Sequence, residues 1–166
     1  MIIYQSFLES PIGPIRISSD GEAINEVHFL EEDELSTVIH PKIAVNPLLQ
    51  TCKDELSAFF EGSLTVFSVP VRQEGSEFQQ TVWAELLNIP YGKTISYLEL
   101  SKRIGDVKAI RAVGTTNGKN NIAIIVPCHR VIGTNGSLTG YAGGLGRKQW
   151  LLEQEMKVAH GVLTLF

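Results

Sequence analysis

Short β-rich runs open the chain: Ile2 to Phe7, Ile12 to Ser18 and Ala23 to Phe29. Pro11-Ile12-Gly13-Pro14 and Ser19-Asp20-Gly21 punctuate them as turns, so a small antiparallel meander is predicted. Glu31-Glu32-Asp33-Glu34 reads as a solvated face or loop. After Pro47 the period changes. Leu48, Leu49, Cys52, Leu56, Phe59 and Phe60 recur at helical spacing up to Gly62, which predicts a helix opened by proline. Thr65 to Val71 alternates and predicts a further strand. Gln73-Glu74-Gly75-Ser76 marks a boundary, giving an N-terminal domain over 1–75 and a second over 76–166.

The second half patterns as helices. Ser76 is placed to cap a helix holding Phe78, Val82, Trp83, Leu86 and Leu87, which ends before Pro90-Tyr91-Gly92. Ser96-Tyr97-Leu98-Glu99 fits a capping box, predicting a helix from about Tyr97 to Ile104 that stops at Gly105. Asp106 is placed to cap the next helix, about Val107 to Asn117. Two short helices joined by a glycine turn form a helix-turn-helix pattern, although many helical pairs share it. The second of them carries Lys108 and Arg111 and no acidic residue after Asp106, which suits a phosphate-facing surface. The fold class is therefore α+β: a small antiparallel sheet with a helix, followed by a mainly helical domain.

Composition narrows the classes. A chain of 166 residues makes about one domain or two small ones, and 43% hydrophobic residues rule out disorder. No apolar run approaches the ~18 residues of a membrane helix, and Met1 to Gln5 lacks the basic and apolar regions of a signal peptide. Two cysteines are no disulfide framework and point to a reducing cytoplasm. Neither they nor the histidines His28, His40, His129 and His160 show metal-ligand spacing. The net charge of −4 argues against a nucleic-acid partner until it is divided. Residues 1–76 hold four basic and twelve acidic groups, a net of −8, whereas residues 77–166 hold ten and six, a net of +4. Either the halves meet different partners, or solvated charges have clustered by chance.

The candidate chemistry follows the apolar run Ile122-Ala123-Ile124-Ile125-Val126, which reads as buried and leads into Pro127-Cys128-His129-Arg130-Val131-Ile132-Gly133. A thiol beside an imidazole and a guanidinium has two groups that favour the thiolate, and an imidazole can act as its base. Neighbours on a regular strand point to opposite faces, so the pair cooperates only where the backbone turns. Taken alone, the pair reads more readily as a buried, inert cysteine. Cys52, within an apolar helical repeat, reads as core. Trp150, Leu151 and Leu152 bury one side of a helix after the glycine-rich turn Gly140-Tyr141-Ala142-Gly143-Gly144. Glu155, four residues after Leu151, points partly inward, where a carboxylate would fix the imidazole tautomer; periodicity alone also fits a surface charge.

Val126-Pro127-Cys128-His129-Arg130-Val131 resembles the active-site signature of the methylated-DNA–protein-cysteine methyltransferases, the O6-alkylguanine-DNA alkyltransferase family. Phe78-Gln79, Val82-Trp83, Ile89-Pro90-Tyr91-Gly92, Ser96-Tyr97, Arg111-Ala112-Val113-Gly114, Asn120, Tyr141, Gly143-Gly144-Leu145 and Trp150-Leu151-Leu152 follow the family's order and spacing. The resemblance is strong over about 76–156 and general over 1–75.

It implies a ribonuclease-like N-terminal domain and a winged-helix-like helix-turn-helix in the second. It also implies single-turnover DNA repair, in which an alkyl group on O6 of guanine, or on O4 of thymine, passes irreversibly to the protein. On that resemblance Cys128 is the acceptor, His129 its base through a water, and Glu155 the residue that orients His129. Asn120 bonds near the active-site turn, and Tyr97 gives a proton to the leaving guanine. Arg111, Ala112, Gly114, Ser96 and Arg130 meet DNA, with Arg111 filling the place of the flipped base. Val131, Tyr141, Ala142 and Gly143 line the pocket. The O6 atom lies inside the duplex, so the base must be flipped out, and small residues let a helix approach the minor groove without reading sequence.

No cofactor is required. The expected partner is double-stranded DNA with alkylated bases, met by a monomer that needs no membrane and no obligate protein partner. Asn121, Ile110, Thr116 and Ala142 depart from the family's usual residues, which bears on substrate range. The alternatives are a lesion-binding protein that transfers nothing and a thiol hydrolase using the Cys-His-Glu set.

Overall fold

The computed structural model describes residues 3–35 and 46–161. His40, Lys42, Met1, Ile2 and the tail after Gly161 lie outside the described residues. The chain divides into two compact units, Met1–Gln73 and Glu74–Phe166. No helix among the described residues is long and apolar enough to cross a membrane.

The first unit is a three-stranded antiparallel sheet, β1 (Tyr4–Ser10), β2 (Gly13–Ser19) and β3 (Ile24–Phe29), in the order β1-β2-β3. Ile15 and Ile17 of β2 and Ile24, Val27 and Phe29 of β3 are buried. On β2 the intervening Arg16 and Ser18 both bond Glu26. Period-two alternation thus sorts the two faces, and a register shift between Ser18 and Ser19 lets Ile24 be buried although it stands an odd number of residues from Val27. The acidic run forms a single helical turn, α1 (Glu32–Leu35), without a buried residue, as a solvated face requires.

Helix α2 (Pro47–Glu61) lays Leu49, Cys52, Leu56, Phe59 and Phe60 on the sheet. Asn46 caps it by accepting from the Leu48 and Leu49 amides, and Gly62 closes it in the left-handed conformation. Burying each large apolar side chain contributes about 1.5–3 kcal/mol. Cys52 is fully buried, and burial pushes its thiol up to about 12, so it is an inert core residue.

The strand predicted over Thr65 to Val71 does not form. Only Val71 makes a bridge, in parallel with Ile24 on the outer edge of β3. The segment before it is tied to α2, where the Glu55 carboxylate accepts from the Ser68 and Val69 amides, and Val66 is 77% exposed. Alternation makes a strand only where a partner edge runs alongside.

The second unit begins with α3 (Glu77–Leu86). Ser76 and Gln79 form a full capping box there, whereas at Ser96 only one leg is seen, the hydroxyl accepting from the Glu99 amide. Next come β4 (Ile95–Ser96), α4 (Tyr97–Arg103), a short 3-10 turn over Val107–Ala109 capped by Asp106, and α5 (Ile110–Gly118). The predicted second helix of the pair thus starts as 3-10 and widens into α-helix at Ile110. Trp83 donates to the Thr116 carbonyl and ties α3 to α5. The two-residue strand β5 (Val131–Ile132) lies parallel to β4, and α6 (Leu145–His160) follows the glycine-rich turn. This pairing, not evident in the sequence, sets the start of α4 beside the segment that carries Cys128.

Candidate active site

Cys128, His129 and Arg130 form one turn of 3-10 helix, all three buried. The backbone therefore turns where cooperation between neighbours requires it. The turn before it is built by Asn120. Its carbonyl oxygen accepts from the Ile122 amide (3.1 Å), and its amide donates to the Ile122 (3.2 Å) and Val126 (2.9 Å) carbonyls and to Cys128 Sγ (3.3 Å). Ile124 sits inside this turn at φ 71°, the one non-glycine residue with positive φ among those described. A β-branched side chain there costs about 1–3 kcal/mol, held by the surrounding bonds. Asn117 of α5 donates to the Cys128 carbonyl (3.2 Å), which links the second helix of the pair to the turn.

His129 has no exposure, and its Nε2 lies 2.5 Å from Glu155 Oε2. The carboxyl is held well below its usual range: burial alone would raise it, but His129 and Arg130 bring it down to about 2. An ionised carboxylate only accepts, so Nε2–H donates and Nδ1 is the bare nitrogen. Nδ1 is buried with no hydrogen-bond partner among the described residues. Burial pushes the imidazole pKa down despite Glu155, which keeps it neutral and able to take a proton.

Glu155 accepts two further contacts from Arg130, Nε at 2.8 Å and Nη2 at 3.2 Å, and one from the Gly92 amide at 3.0 Å. Arg130 Nη1 donates to the Ile89 carbonyl (2.7 Å), and its guanidinium lies 5.6 Å from the centre of the Tyr91 ring. Gly92 has a φ of 75°, and a Cβ there would meet Ala159 Cβ at 2.6 Å, so the Pro90-Tyr91-Gly92 turn needs glycine to reach the carboxylate. His160 packs here as well, donating to the Gly92 carbonyl (3.0 Å).

Arg130 is thus a correction. Expected to meet DNA and to favour the thiolate, it is only 6% exposed and committed to Glu155 and Ile89. A buried guanidinium belongs with the carboxylate that neutralises it. Burial raises the Cys128 thiol above its usual value; the groups pulling it down are Asn120, Lys148 and the backbone amides of Cys128 and His129. The resting thiol is therefore protonated and reacts only when a base takes its proton.

Tyr97, at the start of α4, donates its hydroxyl to the Thr139 carbonyl (3.2 Å). Burial first, and the neighbouring Cys128 to a lesser degree, raise the Tyr97 phenol, which side-chain hydrogen bonds with Thr139 and Asn117 partly offset. The Tyr141 hydroxyl is buried without a partner among the described residues, and burial with the Cys128 charge raises it well above 10. Val131 is fully buried, Gly143 half-buried and Ala142 exposed. Arg111 and Ala112 are exposed on α5, while Gly114 faces the Tyr97 ring. The Ser96 hydroxyl is committed to the cap of α4. Of the departures, Thr116 is a buried packing residue and Asn121 is exposed. Among the described residues no cluster of three or more His, Cys, Asp or Glu could hold a metal ion.

Lys148 was not anticipated. It is fully buried on α6, with Nζ bonded to the Val131 (2.5 Å) and Thr139 (2.9 Å) carbonyls. The signal was present in the spacing: residues 148, 151, 152 and 155 form one helical stripe.

Comparison with known proteins matches this arrangement to one family. The 6-O-methylguanine DNA methyltransferase ribonuclease-like domain matches residues 3–73, and the DNA binding domain of the same family matches residues 77–157. The methylated-DNA–protein-cysteine methyltransferase of Mycobacterium bovis is 47% identical over 167 aligned residues, covering 100% of this chain and 99% of that one. That of Methanosarcina acetivorans is 46% identical, covering 92% and 98%. The crystal structure of Mycobacterium tuberculosis O6-methylguanine methyltransferase superposes with a TM-score of 0.84 at 45% identity over 99% of both chains. The Mycobacterium tuberculosis OGT solved in complex with DNA gives 0.82 at 44% identity, covering 93% of this chain and 94% of that one. The chain therefore belongs to the 6-O-methylguanine DNA methyltransferase family.

Proposed function

We propose that this protein repairs alkylated duplex DNA by moving the alkyl group from O6 of guanine to Cys128, once per chain. The observation that carries the reading is the arrangement around one turn: a buried thiol held by Asn120, and beside it an imidazole whose Nε2–H is fixed on Glu155. His129 Nδ1 takes the thiol proton through a water. The sulfur then attacks the alkyl carbon, the S–C bond forms and the C–O6 bond breaks. The electron pair goes to guanine, which takes a proton from the Tyr97 hydroxyl. The thioether is stable, so no step restores the thiol.

The base reaches the thiol only when flipped from the duplex, at a cost of a few kcal/mol that a damaged pair lessens. Arg111 fits the gap: it is exposed on α5 and has no ion-pair partner among the described residues. Ala112 beside it leaves the helix surface low enough for a groove floor. Val131, Tyr141, Ala142 and Gly143 form the pocket wall. Arg130 acts inside the protein, by holding Glu155.

The test is a stoichiometry. Incubation with duplex DNA carrying O6-methylguanine is expected to add one methyl group per chain, on Cys128, by peptide mass spectrometry. Repaired guanine with unmodified Cys128 would overturn the reading. Tight lesion binding without methyl loss would make the protein a binder, and repeated turnover of an ester would make it a hydrolase. Arg111→Ala is expected to slow repair by about tenfold or more, since the flipped state loses the side chain that fills the stack. An unchanged rate removes that role.

A further inference from the structure

Lys148 is a lysine with no exposure whose two hydrogen-bond partners are both carbonyls, Val131 and Thr139. Lysine is almost never fully buried unless paired with an opposite charge. Burial pushes this ammonium down to about 8, so the fold carries the charge at a cost that an apolar side chain would avoid. Its surroundings say what the charge serves. Thr139 O accepts from both Lys148 Nζ (2.9 Å) and the Tyr97 hydroxyl (3.2 Å), and Nζ lies 5.9 Å from the centre of the Tyr97 ring. The same charge acts on the Cys128 thiol.

Resting on the alkyl-transfer reading above, we propose that Lys148 is a positioning residue of the reaction: it fixes the Thr139 carbonyl that aims the Tyr97 hydroxyl, and holds one positive charge beside Tyr97 and Cys128. Both of those groups give up a proton as the alkyl group moves. A fixed cation beside two acids favours the loss from each. The two carbonyl bonds prevent the flexible lysine stem from swinging the charge away. When the Tyr97 hydroxyl turns from Thr139 to the leaving base, Thr139 O keeps the Lys148 donor.

The experiment is a double-substitution cycle on the whole chain, with Lys148→Met, Tyr97→Phe and both together. The single-turnover methyl-transfer rate is measured at saturating O6-methylguanine duplex, and the Kd for the same duplex separately. Lys148→Met is expected to lower the rate by about 10- to 100-fold, less than the roughly 10²- to 10⁴-fold of a group that itself transfers the proton, with Kd unchanged within threefold. With Phe at position 97, the further loss on Lys148→Met is expected to fall below about threefold, because the two act as a unit. Lys148→Gln keeps an N–H donor without the charge, on a stem one atom shorter; it is expected to be slow as well, and it serves if the methionine variant does not fold.

Wild-type rates in Lys148→Met or Lys148→Gln, losses that multiply independently of Tyr97, or a Kd that weakens in step with the rate would each overturn the proposal. If the wild-type chain leaves Cys128 unmodified, the transfer reading itself fails. If it modifies Cys128 and the cycle shows no coupling, only the role of Lys148 fails.

Discussion

Cys128→Ser is expected to abolish methyl transfer while leaving the affinity for duplex DNA within about threefold of wild type. The substitution is nearly isosteric, and the serine hydroxyl can take the bond from the Asn120 amide that Sγ accepts at 3.3 Å. The fold therefore has no reason to fail. What changes is acidity: a neutral imidazole can take a proton from a buried thiol but hardly from an alkyl alcohol. The loss is expected to be roughly 10⁴-fold or more, of the order seen when a nucleophile is removed from an enzyme. Transfer of labelled methyl to protein measures the first outcome, and a binding titration measures the second. Labelled methyl appearing on the serine variant would place the acceptor elsewhere, with Cys52 already buried and held protonated in the first unit.

This expectation was largely legible in the sequence because its parts are local. Pro127, Cys128 and His129 are adjacent, and the need for a turn between thiol and imidazole follows from strand geometry alone. Helix caps at Ser76, Ser96 and Asp106 are likewise local, since a side chain reaches amides two or three residues on. What could not be read depends on pairs far apart in sequence. Arg130 finds Glu155 across 25 residues and Ile89 across 41. The basic side chain next to the nucleophile thus serves the carboxylate rather than the thiol or a phosphate. Lysine as a residue type belongs at the surface, so the burial of Lys148 shows in the sequence only through its place on the Leu151, Leu152 and Glu155 stripe of α6. Thr65 to Val71 failed for the converse reason: its alternation was real, but the only edge it meets is at Ile24.

The net charge of −4 is a sum over two units of opposite sign and is no guide to the partner. The second unit has an excess of four positive charges over residues 77–166, but these are not equivalent. Arg130 and Lys148 are buried in the site, so they add nothing to phosphate attraction through solvent. Arg103 is paired with Glu99 and Glu85, whereas Arg111, Lys102, Lys108 and Lys119 are exposed on or beside α4 and α5 and add to the positive field of this unit.

Glu155→Gln is the substitution expected to cost most in stability and activity together. The carboxylate accepts from four donors: His129 Nε2, Arg130 Nε, Arg130 Nη2 and the Gly92 amide. A glutamine offers one acceptor oxygen and sets its own N–H groups against donors. It leaves the Arg130 guanidinium buried without its counter-charge, a loss of about 3–5 kcal/mol out of the roughly 5–15 kcal/mol that hold a domain folded. The rate is expected to fall by about 10²- to 10⁴-fold, because Nε2–H is no longer held by an ionised partner and Nδ1 is no longer reserved as the base.

The pH dependence separates this from generic damage. The Glu155 carboxyl is more acidic folded than its ordinary value of 4.5, so its stabilisation is full above that value and is lost as pH falls toward about 2. His129 acts in the same direction, because its pKa is lowered from 6.5 by burial and an unfolded imidazole takes up its proton first. Wild-type stability in urea is therefore expected to decline steadily from pH 7 to pH 3. The glutamine variant should start lower and decline less over the lower part of that range. Equal stability of the two at pH 7, or parallel acid slopes, would mean that Glu155 does not hold Arg130 and His129 in the way the distances indicate.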